Sequence, residues 1–129
     1  MSGPAKPITL ENDPLAPYCI APGWQVGNLL FLSGQASIGD DGSIVGAGDF
    51  DAQLEQTFAN IAKVLAAGGS DLSKVVKVTI YLTDMANFPK IVAARQRSFT
   101  PPYPADTTLE VRSLALPELM VEIDVIATV

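Results

Sequence analysis

The stretch FDAQLEQTFANIAKVLAAGGSDLSKVVKVTIYLTD, Phe50 to Asp84, decides the fold class. Its first half carries apolar residues at Phe50, Leu54, Phe58, Ile61 and Leu65, a spacing that gathers them on one face of an α-helix. Asp49 stands where an N-cap is expected, and Gly68-Gly69 where the helix should stop. The second half changes period. Val76, Val78, Ile80 and Leu82 alternate with Lys77, Thr79 and Tyr81, which predicts a strand with one face under a helix and a second, less apolar face.

Working outward, residues 1–24 contain Pro4, Pro7, Pro14, Pro17 and Pro22 and read as extended chain and turns, with a short strand at Ile8–Glu11. VGNLLFLSG predicts a turn at Gly27-Asn28 and a buried strand over Leu29–Ser33. IGDDGSIVG reads as a hairpin-like loop, because Asp41-Gly42 tolerates positive φ. A second helix is expected from near Asn87, with Pro89 in its first turn and Phe88, Ile91, Val92, Arg95 and Phe99 on one face. TPPYP ends it. Two closing strands follow, Thr107–Leu114 and Met120–Thr128, joined across Pro117. The order β-β-α-β-α-β-β has no linker or repeat and predicts one α+β domain over residues 1–129, a mixed β-sheet with two helices on one face. Something must cover the other face, and a second subunit is the economical answer.

Composition narrows the function. Hydrophobic residues make up 48% and charged residues 17% of the 129, which argues for a packed domain with apolar surface left for a partner. The net charge is −6 and the eight basic residues are scattered, so neither nucleic acid nor an anionic membrane is the expected partner. No apolar run approaches a membrane span, and no signal peptide is read at the N-terminus. The single cysteine, Cys19, forms no internal disulfide and suits a cytoplasmic protein. With no histidine, Ser-His-Asp and Cys-His catalysis and His-ligated zinc fall away. Acid–base work is left to carboxylates, tyrosine, lysine or water. No cofactor is expected.

The candidate residues are therefore few. Glu122 and Asp124 lie two apart in an apolar strand and share one sheet face. That pattern fits a polar cavity or a subunit interface; pairing with Lys or Arg, or plain solvent exposure, is the alternative. Asp106, Thr108, Glu110 and Arg112 share a strand face by the same period and, with Glu122, would line one polar patch. Against that, Asp106 reads equally as a turn residue after Pro104, and Glu110–Arg112 as exposed surface. Ser33 ends a strand beside a glycine, where a ligand approaches backbone closely; a turn is the plain alternative. Tyr18 covers a pocket or packs, and Cys19 has no base in view. AAGGSDLSK lacks the spacing of a phosphate loop.

Several stretches together resemble the RidA (reactive intermediate deaminase) family: VGNLLFLSGQ, QTFANIAKVLAAGGSDLSKVVKVTIYLTDM, NFPKI and PADTTLEVRSLALPELMVEIDVIA, covering about Tyr18 to Ala127. The resemblance implies a chorismate-mutase-like α+β fold and a homotrimer with a barrel-like centre. It also implies pockets between subunits and cofactor-free hydrolysis of reactive imines and enamines to 2-keto acids and ammonia. It assigns Tyr18 and Ser33 to the pocket and Glu122 to the attacking water. It also marks departures. Asp106 stands where the family's substrate-gripping arginine is expected, Val92 where an asparagine is, and Thr108 where a cysteine is. A carboxylate in place of the arginine would repel a carboxylate-bearing imine, a penalty like that of breaking a buried pair. Arg95 and Arg112 carry little weight as replacement cations. The reading is a deaminase-like hydrolase that takes something other than the usual 2-imino acids. The alternative is a non-catalytic trimer that binds a small molecule or a protein.

Overall fold

The computed structural model describes residues 4–129. The predicted helix forms as α1, Phe50–Ala67, and the Asp49 carboxylate accepts the Ala52 N–H at 3.1 Å as its cap. The second helix, α2, spans Phe88–Ser98 with proline in its first turn. The strands are β1 Lys6–Ile8, β2 Gly23–Val26, β3 Leu29–Leu32, β4 Gln35–Ala36, β5 Val75–Leu82, β6 Ala105–Glu110 and β7 Val121–Thr128. They form one mixed sheet in the order β1-β2-β3-β7-β5-β6, with β4 also paired to β7. Only β5 and β6 run parallel, and α2 is the crossover between them. The fold is α+β.

The core lies between this sheet and the helices. Leu30, Val78, Ile80, Leu82, Val121, Ile123 and Val125 point from the sheet into it, and Leu54, Ile61, Val64, Leu65 and Ile91 meet them from the helices. The stripe on α1 is not wholly apolar. Gln53 and Asn60 are buried within it and hold backbone: Gln53 donates to the Gly46 and Glu118 carbonyls and accepts from Met120 N–H. Asn60 donates to the carbonyls of Ala36 and Ile38 at 2.9 and 2.8 Å.

The opposite sheet face is open. Register places Trp24, Val26, Leu29, Phe31, Ile126 and Leu109 on it beside Lys77, Thr79, Tyr81, Glu122 and Asp124. Trp24 and Phe31 remain 44% and 41% exposed, too much large apolar surface to ascribe to ordinary scatter.

Several boundaries differ from expectation. The first strand is Lys6–Ile8 rather than Ile8–Glu11, and β2 arises inside the proline-rich segment. A tight turn explains β2: Gly27 adopts φ 59°, so Val26 pairs with Leu29. β3 is half-buried, Leu29 and Phe31 facing the open side. Val76 is exposed because the register slips between Val75 and Lys77, and that bulge turns Val75 inward instead. On α2 the buried residues are Ile91 and Ala94, while Phe88 and Val92 flank the outer edge. β6 stops at Glu110, not Leu114, because its one neighbour, β5, ends opposite it at Leu82. Arg112 therefore lies in the loop beyond. Among the described residues, no helix is long and apolar enough to cross a membrane.

Candidate functional site

One group of candidate residues is built on the open face. The register of β7 against β3 and β4 steps by one residue between Phe31↔Ile126 and Gln35↔Ile123, so Ser33-Gly34 forms a bulge beside Asp124 and Val125. The Glu122 side chain lies across this bulge. A Cβ built on Gly34 would stand 2.3 Å from Glu122 Oε2 and 2.9 Å from its Cδ, so only glycine leaves the carboxyl where it is. The Ser33 hydroxyl donates to the Ala21 carbonyl at 2.6 Å, and Ser33 N–H donates to the Pro22 carbonyl at 2.9 Å. These two bonds fasten the loop that carries Tyr18, and they leave the Ser33 oxygen free to accept. Tyr18 ends a 3-10 turn, Ala16–Tyr18, and its ring is mostly exposed.

Glu122 is half-buried. Burial first, and the negative charge of Asp124 second, raise its pKa above the ordinary carboxylate value. Asp124 accepts a hydrogen bond from the Tyr81 hydroxyl at 2.9 Å; that bond, then burial, raises the tyrosine's pKa. A carboxyl that holds its proton more tightly than usual, beside backbone a ligand can approach, is fitted to exchange protons with a bound molecule. Among the described residues, no cluster of His, Cys, Asp and Glu is arranged to hold a metal.

A second group forms at the other edge. Asp106 and Thr108 pair in register with Val78 and Ile80, which point into the helix-covered core. Their side chains therefore lie on the opposite sheet face from Glu122. β6 is also two strands from β7, about 10 Å at the usual spacing. The single polar patch expected of Asp106, Thr108, Glu110, Arg112 and Glu122 does not form within one chain. Glu110 instead accepts the Met85 N–H at 2.8 Å, tying β6 to the 3-10 turn that leads into α2.

Asp106 is not a free carboxylate. Arg95, reaching down from α2, donates from Nε to Asp106 Oδ2 at 3.1 Å and from Nη2 to Oδ1 at 2.9 Å. Arg95 Nη2 also donates to Thr108 Oγ1 at 2.7 Å, and that hydroxyl donates to Asp106 Oδ1 at 2.7 Å. The Phe88 ring lies 5.4 Å from the guanidinium carbon. Val92 sits one turn from Phe88 on the same side of α2. The repulsion expected of Asp106 thus gives way to a closed ion pair, and Arg95 matters more than its sequence position implied.

Sequence reasoning missed three positioning residues. Gly34 was visible only as a strand-end glycine. Gln53 and Asn60 left a better signal, polar side chains at helical spacing inside an apolar stripe. Asn60 bears on the site because it holds Ala36, the residue opposite Glu122 in the ladder.

A family model described as Endoribonuclease L-PSP matches residues 10–129. Protein DfrA of Myxococcus xanthus is 39% identical over 124 residues, covering 95% of this chain and 94% of that one. A 2-iminobutanoate/2-iminopropanoate deaminase of Dermatophagoides farinae is 34% identical over 112 residues, 84% of this chain and 88% of that protein. Among solved structures, RidA from an Antarctic Psychrobacter superposes with a TM-score of 0.87 at 30% identity, covering 96% of this chain and 99% of that one.

Proposed function

This chain belongs to the Rid family, the family of the Endoribonuclease L-PSP model, and we propose on that premise that it hydrolyses a small imine or enamine in a pocket between two subunits. The observation that carries the reading is Glu122, half-buried across Gly34 and beside Ser33 on the open sheet face. In the proposed reaction Glu122 takes a proton from water as the water oxygen attacks the C=N carbon. The nitrogen gains a proton, the carbinolamine releases ammonia, and a carbonyl remains. Water and imine enter and carbonyl and ammonia leave, so no redox partner or cofactor is needed. An enamine first gains a proton at carbon, which a carboxyl of raised pKa is suited to deliver. Ser33 and Tyr18 orient the ligand.

The open apolar face supports an assembly of several copies as the working form, and the number three, a homotrimer, comes from the family resemblance alone. The Glu122 group and the Asp106 group lie on opposite faces of the sheet, so one small ligand meets both only if a neighbouring copy supplies the second. RNA cleavage, which the family model's description names, finds less support, since the chain carries a net charge of −6 and no basic track in its sequence.

The test is imine loss. An amino-acid oxidase generates 2-imino acids in the presence of semicarbazide, and a chemically generated 2-imino amide serves as the uncharged counterpart. The protein is expected to lower the trapped semicarbazone from at least one of them in proportion to its concentration. Semicarbazone yields unchanged by protein for both would overturn the reading.

A further inference from the structure

The cluster on α2 and β6 carries a statement about substrate class, which rests on the hydrolase reading and deepens it. We propose that Arg95 and Asp106, locked together, form an electrically neutral specificity element that accepts the uncharged end of a ligand and gives a free carboxylate no grip.

The hydrogen-bond inventory argues it. A guanidinium holds a carboxylate bidentately through one of two forks, Nε with Nη2 or Nη1 with Nη2. On Arg95 the first fork is filled by Asp106 at 3.1 and 2.9 Å. The second shares Nη2, which already meets both Asp106 Oδ1 and Thr108 Oγ1, at 2.9 and 2.7 Å. Two Nη1 hydrogens remain, which offer no fork. The Asp106 charge lies against the cation, so an incoming anion meets a dipole rather than a net positive charge. The pair is not a loose surface contact, as the two side chains are only 25% and 20% exposed. Thr108 bonds both partners and fixes the arrangement.

The surroundings are apolar. Phe88 and Val92, each 38% exposed, flank Arg95 on α2. Behind the pair, a recess of about 20 Å³ is lined by Val78, Phe99, Tyr103 and Pro104 together with Arg95 and Asp106. That space takes a methyl group or a water. Exposed apolar side chains around a self-neutralised pair suit an alkyl, ester or carboxamide end.

The experiment compares pyruvamide with pyruvate, the neutral and charged carbonyl products of matched imines, by titration calorimetry on the assembled protein. Wild type is expected to bind pyruvamide at least about tenfold more tightly. Asp106→Asn, which keeps shape but removes the charge that neutralises Arg95 and the carboxylate that fills its Nε–Nη2 fork, is expected to improve pyruvate binding at least about tenfold. Adding Arg95→Met to it should abolish that gain. The proposal is overturned if wild type binds pyruvate as tightly as pyruvamide, if it binds neither, or if Asp106→Asn leaves their ratio unchanged in a folded protein. Hydrolysis is read separately. Equal loss of charged and neutral imines would refute the selectivity and leave the hydrolase reading standing. Selective binding without hydrolysis of either imine would do the reverse.

Discussion

At the scale of single residues, the surroundings of Glu122 decide its protonation. Its raised pKa has a sign that can be tested. The folded chain holds this proton more tightly than the unfolded chain, so the group's contribution to stability is full below the ordinary glutamate range, about pH 4.3. It is lost as pH rises through the raised folded value. Glutamine carries no charge at any pH. Glu122→Gln is therefore expected to raise the urea midpoint at pH 8 and to lose that advantage near pH 4. An advantage that persists unchanged at pH 4 would mean burial does not oppose the charge. The shared face of Glu122 and Asp124 was legible from the sequence, because period two is a property of any strand. The pairing of Asp106 with Arg95 was not. It joins a helix to an edge strand through the crossover, and charges read one at a time do not reveal their partners.

At the scale of elements, the two bulges separate what the sequence told from what it withheld. α1 was readable because its stripe, cap and glycine stop agree. Alternation in β5 was readable except at Val76, where the ladder slips and the rule of two fails. The Ser33-Gly34 bulge was hidden for the same reason, since an extra residue in a ladder leaves no mark on hydrophobic spacing. It also makes a prediction. Gly34 does not use a positive φ, so Gly34→Ala leaves the backbone unstrained but drives the Glu122 side chain from its place. Imine turnover should fall by about 10²-fold, as expected when a positioned acid–base group is displaced, while unfolding free energy moves by about 1 kcal/mol or less. A large loss of stability with turnover intact would show that the glycine serves packing rather than the site.

For the whole molecule, the open sheet face ties fold to function. The apolar content of the sequence foretold an uncovered surface, and the structure places it on β2, β3 and the outward side of β7. If that surface joins three copies, wild type sediments at three times the 13.6 kDa chain mass. Phe31→Asp, which plants a charge in its middle, should shift the protein toward monomer and remove activity; a wild-type monomer with full activity would contradict the shared pocket. The proposed reaction turns on Glu122 handling the water. Its most direct test is the single-turnover rate of imine loss in wild type and in Glu122→Gln, the two matched for circular dichroism and sedimentation. A fall of about 10²- to 10⁴-fold with assembly unchanged is expected. Rates within threefold of each other would contradict it.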